Sequence, residues 1–297
     1  MSTEVRNKIQ TPLKKAPQLQ TPLSGLNPPS ERNVKLLIAG PIGTGKSTSL
    51  MTLPGKKLIY TFDPNAIDSY PPSDDWDVLP FIPSPSELDI SVSTLHSTDK
   101  SKHHDTSLRH SGKKAEPTTY PAFEEDFQTR CETAWFEQND YKWICFDSNT
   151  TFADICLDRV MYLNGRLGKH PEQADHTALM KLQRDIYRAA IGTGLHVAVT
   201  MHTEYGQDNE TKRLSYQLMT TGRNKIRIPL LFSQIYGTER DVVDGKHQYS
   251  IHTVGGPKRD YIRTNVKNIA PEEDVTVDFS LPLSGQGLGS FVLNQTK

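Results

Sequence analysis

Apolar runs alternate with amphipathic stretches along the chain, the pattern of an α/β protein. Val34-Lys35-Leu36-Leu37-Ile38-Ala39 predicts a buried strand. A helix follows over Ser47 to Leu53 and stops at Pro54-Gly55. Lys57-Leu58-Ile59-Tyr60-Thr61-Phe62 is a second strand, and the order strand–helix–strand predicts a parallel pair with a right-handed crossover. Trp76 to Ile82 holds short structure. Ala122 to Asn139 spaces Phe123, Phe127, Cys131 and Trp135 as the core stripe of a helix. Tyr141 to Ser148 is an apolar strand ending in an acid, and Thr151 to Leu163 a helix. His176 to Gly192 puts Leu179, Leu182, Ile186 and Ala190 on one helix face, before a strand over Leu195 to Met201. Ser233–Val242, Gln248–Val254 and Tyr261–Val266 alternate as antiparallel strands, with turns at Asp244-Gly245 and Gly255-Gly256-Pro257. The expected fold is α/β: a mainly parallel twisted sheet flanked by helices, with antiparallel C-terminal strands.

Between the first strand and its helix lies Gly40-Pro41-Ile42-Gly43-Thr44-Gly45-Lys46-Ser47, a full match to G-x-x-x-x-G-K-[ST]. Glycines let the backbone wrap a phosphate chain, because they lack Cβ and accept positive φ. Successive N–H groups and the helix start then favour an anion. Gly40 to Thr48 are the candidate nucleotide contacts, with Lys46 as cation to the β- and γ-phosphates and Ser47 as hydroxyl for Mg²⁺. The alternative is a glycine-rich turn without a ligand, against which the flanking strand and helix speak. Asp147 closes its strand at the carboxyl end, where ligands of open α/β sheets sit, and is the second candidate for Mg²⁺.

Composition narrows the class. The 297 residues carry a formal net charge of −1, so a nucleic-acid surface must be local. Cys131, Cys145 and Cys156 show no zinc spacing and suit a reduced cytoplasm. No stretch approaches the roughly 18 apolar residues of a membrane span. Residues 1–32 are expected to be a disordered tail, in which Gln10-Thr11-Pro12-Leu13 recurs as Gln20-Thr21-Pro22-Leu23. The core is expected over 33–271, with a flexible insert at 91–118 and a flexible tail at 272–297. His96, His103, His104 and His110 of the insert fit no standard metal spacing. After His202, Thr203 to Arg227 reads as a long loop with little core. Its Lys212, Arg213, Arg223, Lys225 and Arg227 meet no acid from 212 to 227, and Tyr216 is interleaved. Cations for phosphates and a ring for a base are what a single-strand surface uses.

Together these motifs resemble a RecA-like P-loop ATPase, of the reduced kind found among bacteriophage annealing or strand-exchange proteins. The resemblance runs from about Val34 to Pro271. It rests on the phosphate loop, on Phe62-Asp63-Pro64-Asn65, on Phe146-Asp147-Ser148, on Met201-His202 and on Thr220-Thr221-Gly222-Arg223-Asn224. Asn164 to Asp175 lies where the family has its first DNA loop, and Val266 to Pro271 is similar to a segment reaching a neighbouring subunit. It implies ATP and Mg²⁺, single-stranded DNA, and a homo-oligomer, ring or filament, in the cytoplasm, the host's if phage-encoded. A single-strand DNA-binding protein is a further candidate partner. His202 would be the γ-phosphate sensor, and Arg263 and Lys267 would cross a subunit boundary. One departure stands out: Asn65 falls near the family's water-activating glutamate, so either Asp63 substitutes or hydrolysis is slow. A nucleotide or small-molecule kinase and an ATP-switched loader are the rival readings.

Overall fold

The computed structural model describes residues 33–85, 87, 116–133, 135–167, 169–207, 214–266 and 269–295. The N-terminal residues 1–32, nearly all of the 91–118 insert, Lys212, Arg213 and Lys267 lie outside them.

The first strand, β1 (Lys35–Gly40), shows why the core reads as continuous apolar runs. Leu37 and Ala39 belong to one core cluster, Leu36 and Ile38 to another, and all four are fully buried. Successive side chains of a strand point to opposite faces, so a strand covered on both sides has no polar positions. The chain continues with α1 (Lys46–Thr52), β2 (Lys56–Thr61), α2 (Pro64–Ile67), β3 (Trp76–Pro80), α3 (Thr119–Glu132), α4 (Trp135–Gln138) and β4 (Tyr141–Asp147). Then come α5 (Asn149–Leu163), α6 (Gln173–Gly192), β5 (His196–Gln207), β6 (Leu214–Leu218), α7 (Asn224–Arg227), β7 (Gln234–Val243), β8 (Lys246–His252), β9 (Glu272–Asp274) and α8 (Gly287–Gln295).

The sheet runs β3-β2-β4-β5-β1-β7-β8-β9, with β6 paired to β5. From β3 to β7 neighbours are parallel, and β7–β8–β9 form the antiparallel extension. Tyr60, Phe62, Phe123, Phe127, Phe146 and Phe152 pack as an aromatic cluster on one face. The opposite face carries Leu50, Met51, Trp143, Leu288 and Val292.

The fold differs from expectation in four places. β1 and β2 do not pair; β5 and β4 lie between them, because long apolar strands from later in the chain insert at the centre. Tyr261–Val266 makes a single bridge, Ile235 with Arg263, rather than a strand. The expected loop after His202 is largely ordered: β5 continues to Gln207 and turns back as β6. The C-terminal segment is packed, not loose. β9 pairs with β8, and α8 buries Leu288 and Val292 against α1. Among the described residues no helix is long and apolar enough to cross a membrane.

Candidate functional site

Register brings the carboxyl ends of the parallel strands together. Gly40 of β1 pairs with His202 of β5, and Thr61 of β2 with Asp147 of β4. The phosphate loop leaves β1 at this edge. Its Gly43 and Gly45 adopt φ of 75° and 80°, a region that side-chain-bearing residues avoid. Lys46 folds back, donating to the carbonyls of Gly40 at 2.9 Å and Pro41 at 2.5 Å. Burial lowers its pKa to about 8, partly offset by the carboxylates of Asp147 and Asp63. Thr44 Oγ1 bonds the Pro41 carbonyl at 2.8 Å and meets Thr238 Oγ1 at 2.7 Å, which ties the loop to β7.

Asp147 is the hub on the opposite side. Its Oδ2 accepts from Ser47 Oγ at 2.7 Å and from Tyr70 Oη at 2.6 Å, and its Oδ1 accepts from the buried Thr200 hydroxyl. Burial first, and then Asp147, raise the Tyr70 pKa well above its ordinary value, so the phenol stays a donor. Ser47 and Asp147 line one cavity with Gly43 to Thr48, Asp63, Asn65, Ala66, Ser69, His202 and Tyr249. Two hard oxygens side by side, facing a cradle of backbone N–H groups, fit Mg²⁺ held jointly with phosphate. Ser47 and Asp147 would hold it; when bound it neutralises phosphate charge. Among the described residues no group of three or more His, Cys, Asp or Glu could hold a metal ion.

His202 reaches the same cavity, and burial followed by the Lys46 charge lowers its pKa, which favours the neutral ring near pH 7. Its Nδ1 is buried with no hydrogen-bond partner among the described residues. Its backbone N–H donates to Thr150 Oγ1 at 3.2 Å, and its carbonyl accepts from Met219 N at 2.9 Å. Asp63 caps α2: its Oδ1 accepts from Asn65 N at 2.9 Å, leaving the Asn65 side chain exposed at the cavity rim.

Other sequence-predicted residues are placed elsewhere. Arg263 donates to the carbonyls of Pro229 and Phe232 at 2.7 and 2.6 Å, so it staples its own chain instead of standing free for a neighbour. Tyr216 is half-buried; its ring lies under the Arg259 guanidinium at 4.5 Å and beside Tyr205 at 5.0 Å. Lys225 bonds Gln217 at 3.1 Å and lies 3.8 Å from Glu204, whereas Arg223 and Arg227 are exposed. The expected first DNA loop is pinned by Arg166, which pairs with buried Asp175 at 2.6 Å.

Tyr70, Thr200 and Tyr249 were missed by sequence reasoning. Only Thr200, two residues before the His202 candidate on an apolar strand, offered a signal: a hydroxyl amid aliphatic residues. Tyr70→Phe removes one donor from Asp147 and leaves the ring. The Mg²⁺ concentration for half-maximal nucleotide binding should rise about tenfold, the usual effect of losing such a supporting bond. Metal-free nucleotide affinity should not change. A purely structural role for Tyr70 would instead lower the unfolding midpoint and leave the Mg²⁺ titration unmoved.

A phosphate loop at the carboxyl edge of a parallel sheet, with a Ser–Asp pair beside it, defines a P-loop ATPase. Residues 32–260 match the family model described as AAA domain, and the chain belongs to that family. No curated protein matches the chain.

Proposed function

We propose that this P-loop ATPase binds single-stranded DNA under the control of Mg²⁺–ATP, as an oligomer, in annealing or strand exchange of the phage type. The observation that carries this reading is the continuity of β5. The strand that presents His202 to the phosphate cavity runs on to Gln207 and pairs with β6, and the segment between them contains Lys212 and Arg213. A change in the partner of His202 therefore acts directly on the base of the hairpin whose sequence carries Lys212 and Arg213. The bond from Met219 N to the His202 carbonyl carries the same change toward Arg223 and Arg227. Exposed Tyr205, not the covered Tyr216, is then the ring for stacking. Lys267 is the remaining candidate to reach a neighbour's γ-phosphate, since Arg263 is engaged internally. Hydrolysis is slow in this scheme. Asn65 cannot take a proton from water, and the Asp63 carboxylate already caps α2.

The test is filter binding of labelled single-stranded DNA with and without Mg²⁺–ATP, across a salt series. ATP should tighten binding, and affinity should fall steeply with salt. Arg223→Ala should reduce the logarithmic salt slope by about 0.7, one phosphate contact on a single strand. Lys225→Ala should do less, because its ammonium already has partners in the chain. DNA affinity indifferent to ATP would sink the proposal.

A further inference from the structure

A second cavity adjoins the phosphate cavity and shares Thr44, Gly45, Thr48 and Tyr249 with it. It has about 430 Å³ of empty space, part of it open to solvent. Its far wall is apolar, formed by Val275, Val277, Phe279 and Leu288. Tyr249 closes tightly on the phosphate loop: a Cβ on Gly45 would lie 3.1 Å from its Cδ1. Ring and wall are one unit, because the Tyr249 carbonyl accepts from Val275 N at 2.8 Å and its N–H donates to Thr276 Oγ1 at 2.9 Å. Phe279, a large ring of this wall, is 68% exposed.

Of the polar side chains that α1 lends to this cavity, Ser49 and Thr52 are already engaged. Ser49 Oγ donates to the Gly45 carbonyl at 2.9 Å. Thr52 Oγ1 donates to the Ser49 carbonyl at 2.8 Å and accepts from Gly289 N at 3.1 Å. The side chains deeper than Thr48 thus offer apolar surface and aromatic faces, with no free donor–acceptor pattern to read a base edge.

We infer that this cavity is the nucleobase subsite, and that it holds adenine and guanine alike by stacking and apolar contact. The inference rests on the phosphate loop binding a triphosphate. It makes the C-terminal segment part of the nucleotide site and leaves the enzyme tolerant of ATP or GTP. A flat aromatic accepts any base, since every base has a π-face.

The experiment is equilibrium binding of ATP, GTP and inorganic tripolyphosphate to the full chain and to Phe279→Ala, Tyr249→Ala and Lys46→Ala. Wild type should bind ATP and GTP within about threefold of each other. Phe279→Ala should weaken both nucleotides about tenfold and leave tripolyphosphate unchanged, and Tyr249→Ala, whose ring also borders the phosphate cavity, should weaken both nucleotides at least as much. Phe279 is exposed, so its truncation leaves the fold intact and keeps the test valid should Tyr249→Ala unfold. ATP binding unaltered in Phe279→Ala, an equal loss for tripolyphosphate, or a strong preference between ATP and GTP overturns the inference. Failure of the phosphate site itself reads differently: Lys46→Ala would then leave tripolyphosphate and ATP binding untouched.

Discussion

Lys46→Ala should cut nucleotide turnover roughly 10²- to 10³-fold, the effect of removing one preorganised donor from a developing phosphate charge. Triphosphate affinity should fall about 10- to 100-fold, as expected for a lost charge-assisted hydrogen bond. The side chain is placed for this: buried, held on the Gly40 and Pro41 carbonyls, and within the field of Asp147 and Asp63. The same residue sets a pH dependence. In the free protein burial lowers its pKa to about 8. A bound triphosphate favours the ammonium and raises that value. Between the two, binding takes up a proton, so affinity falls by up to about tenfold per pH unit as pH rises. Well below the free value the lysine is charged in both states and the dependence disappears. Calorimetric titration of wild type and Lys46→Ala at neutral and alkaline pH checks this. A profile in wild type that stays flat above the lysine's free pKa would contradict it, as would the same slope in the variant.

Gly289→Ala should detach the C-terminal helix. A Cβ at Gly289 would lie 1.8 Å from the Thr52 carbonyl oxygen and 2.7 Å from its carbon. These are backbone atoms at the end of α1, which cannot swing aside as a side chain would. The same contact surface carries the hydrogen bonds from Gly285 N to the Thr52 carbonyl, 2.8 Å, and from Gly289 N to Thr52 Oγ1. Undocking re-exposes Leu288 and Val292, now 0% and 1% accessible. Burial of such side chains contributes about 1.5–3 kcal/mol each, so the loss should be roughly 3 kcal/mol or more. Denaturant unfolding and limited proteolysis read it, the latter as new cleavage between Val275 and Leu288. An unchanged unfolding midpoint with a resistant C-terminus would show that α8 does not sit on α1 as described.

That helix also shows where sequence reading fails. Gly287-Leu288-Gly289-Ser290 has weak helix propensity, and the segment reads as a loose tail. The glycine that weakens the helix is what allows its backbone to touch Thr52. The hairpin after His202 was hidden for a related reason. Tyr205, Tyr216 and Arg259 stabilise one another across segments, and none is part of a local apolar run. Phe123 and Phe127, by contrast, were legible as core because helical spacing puts them on one face whatever they pack against.

The sequence by itself determined the phosphate loop, the strand before it, the helix after it and the acid closing Tyr141–Asp147. Each depends on contiguous residues: glycines that permit positive φ, apolar runs that demand burial, and a lysine and serine at the start of a helix. Only the tertiary structure decided what surrounds that loop. Tyr70 meets Asp147 across 77 residues, and Thr238 meets Thr44 across 194. Such contacts follow from strand order and register, which arise from how whole strands and helices cover one another's apolar faces.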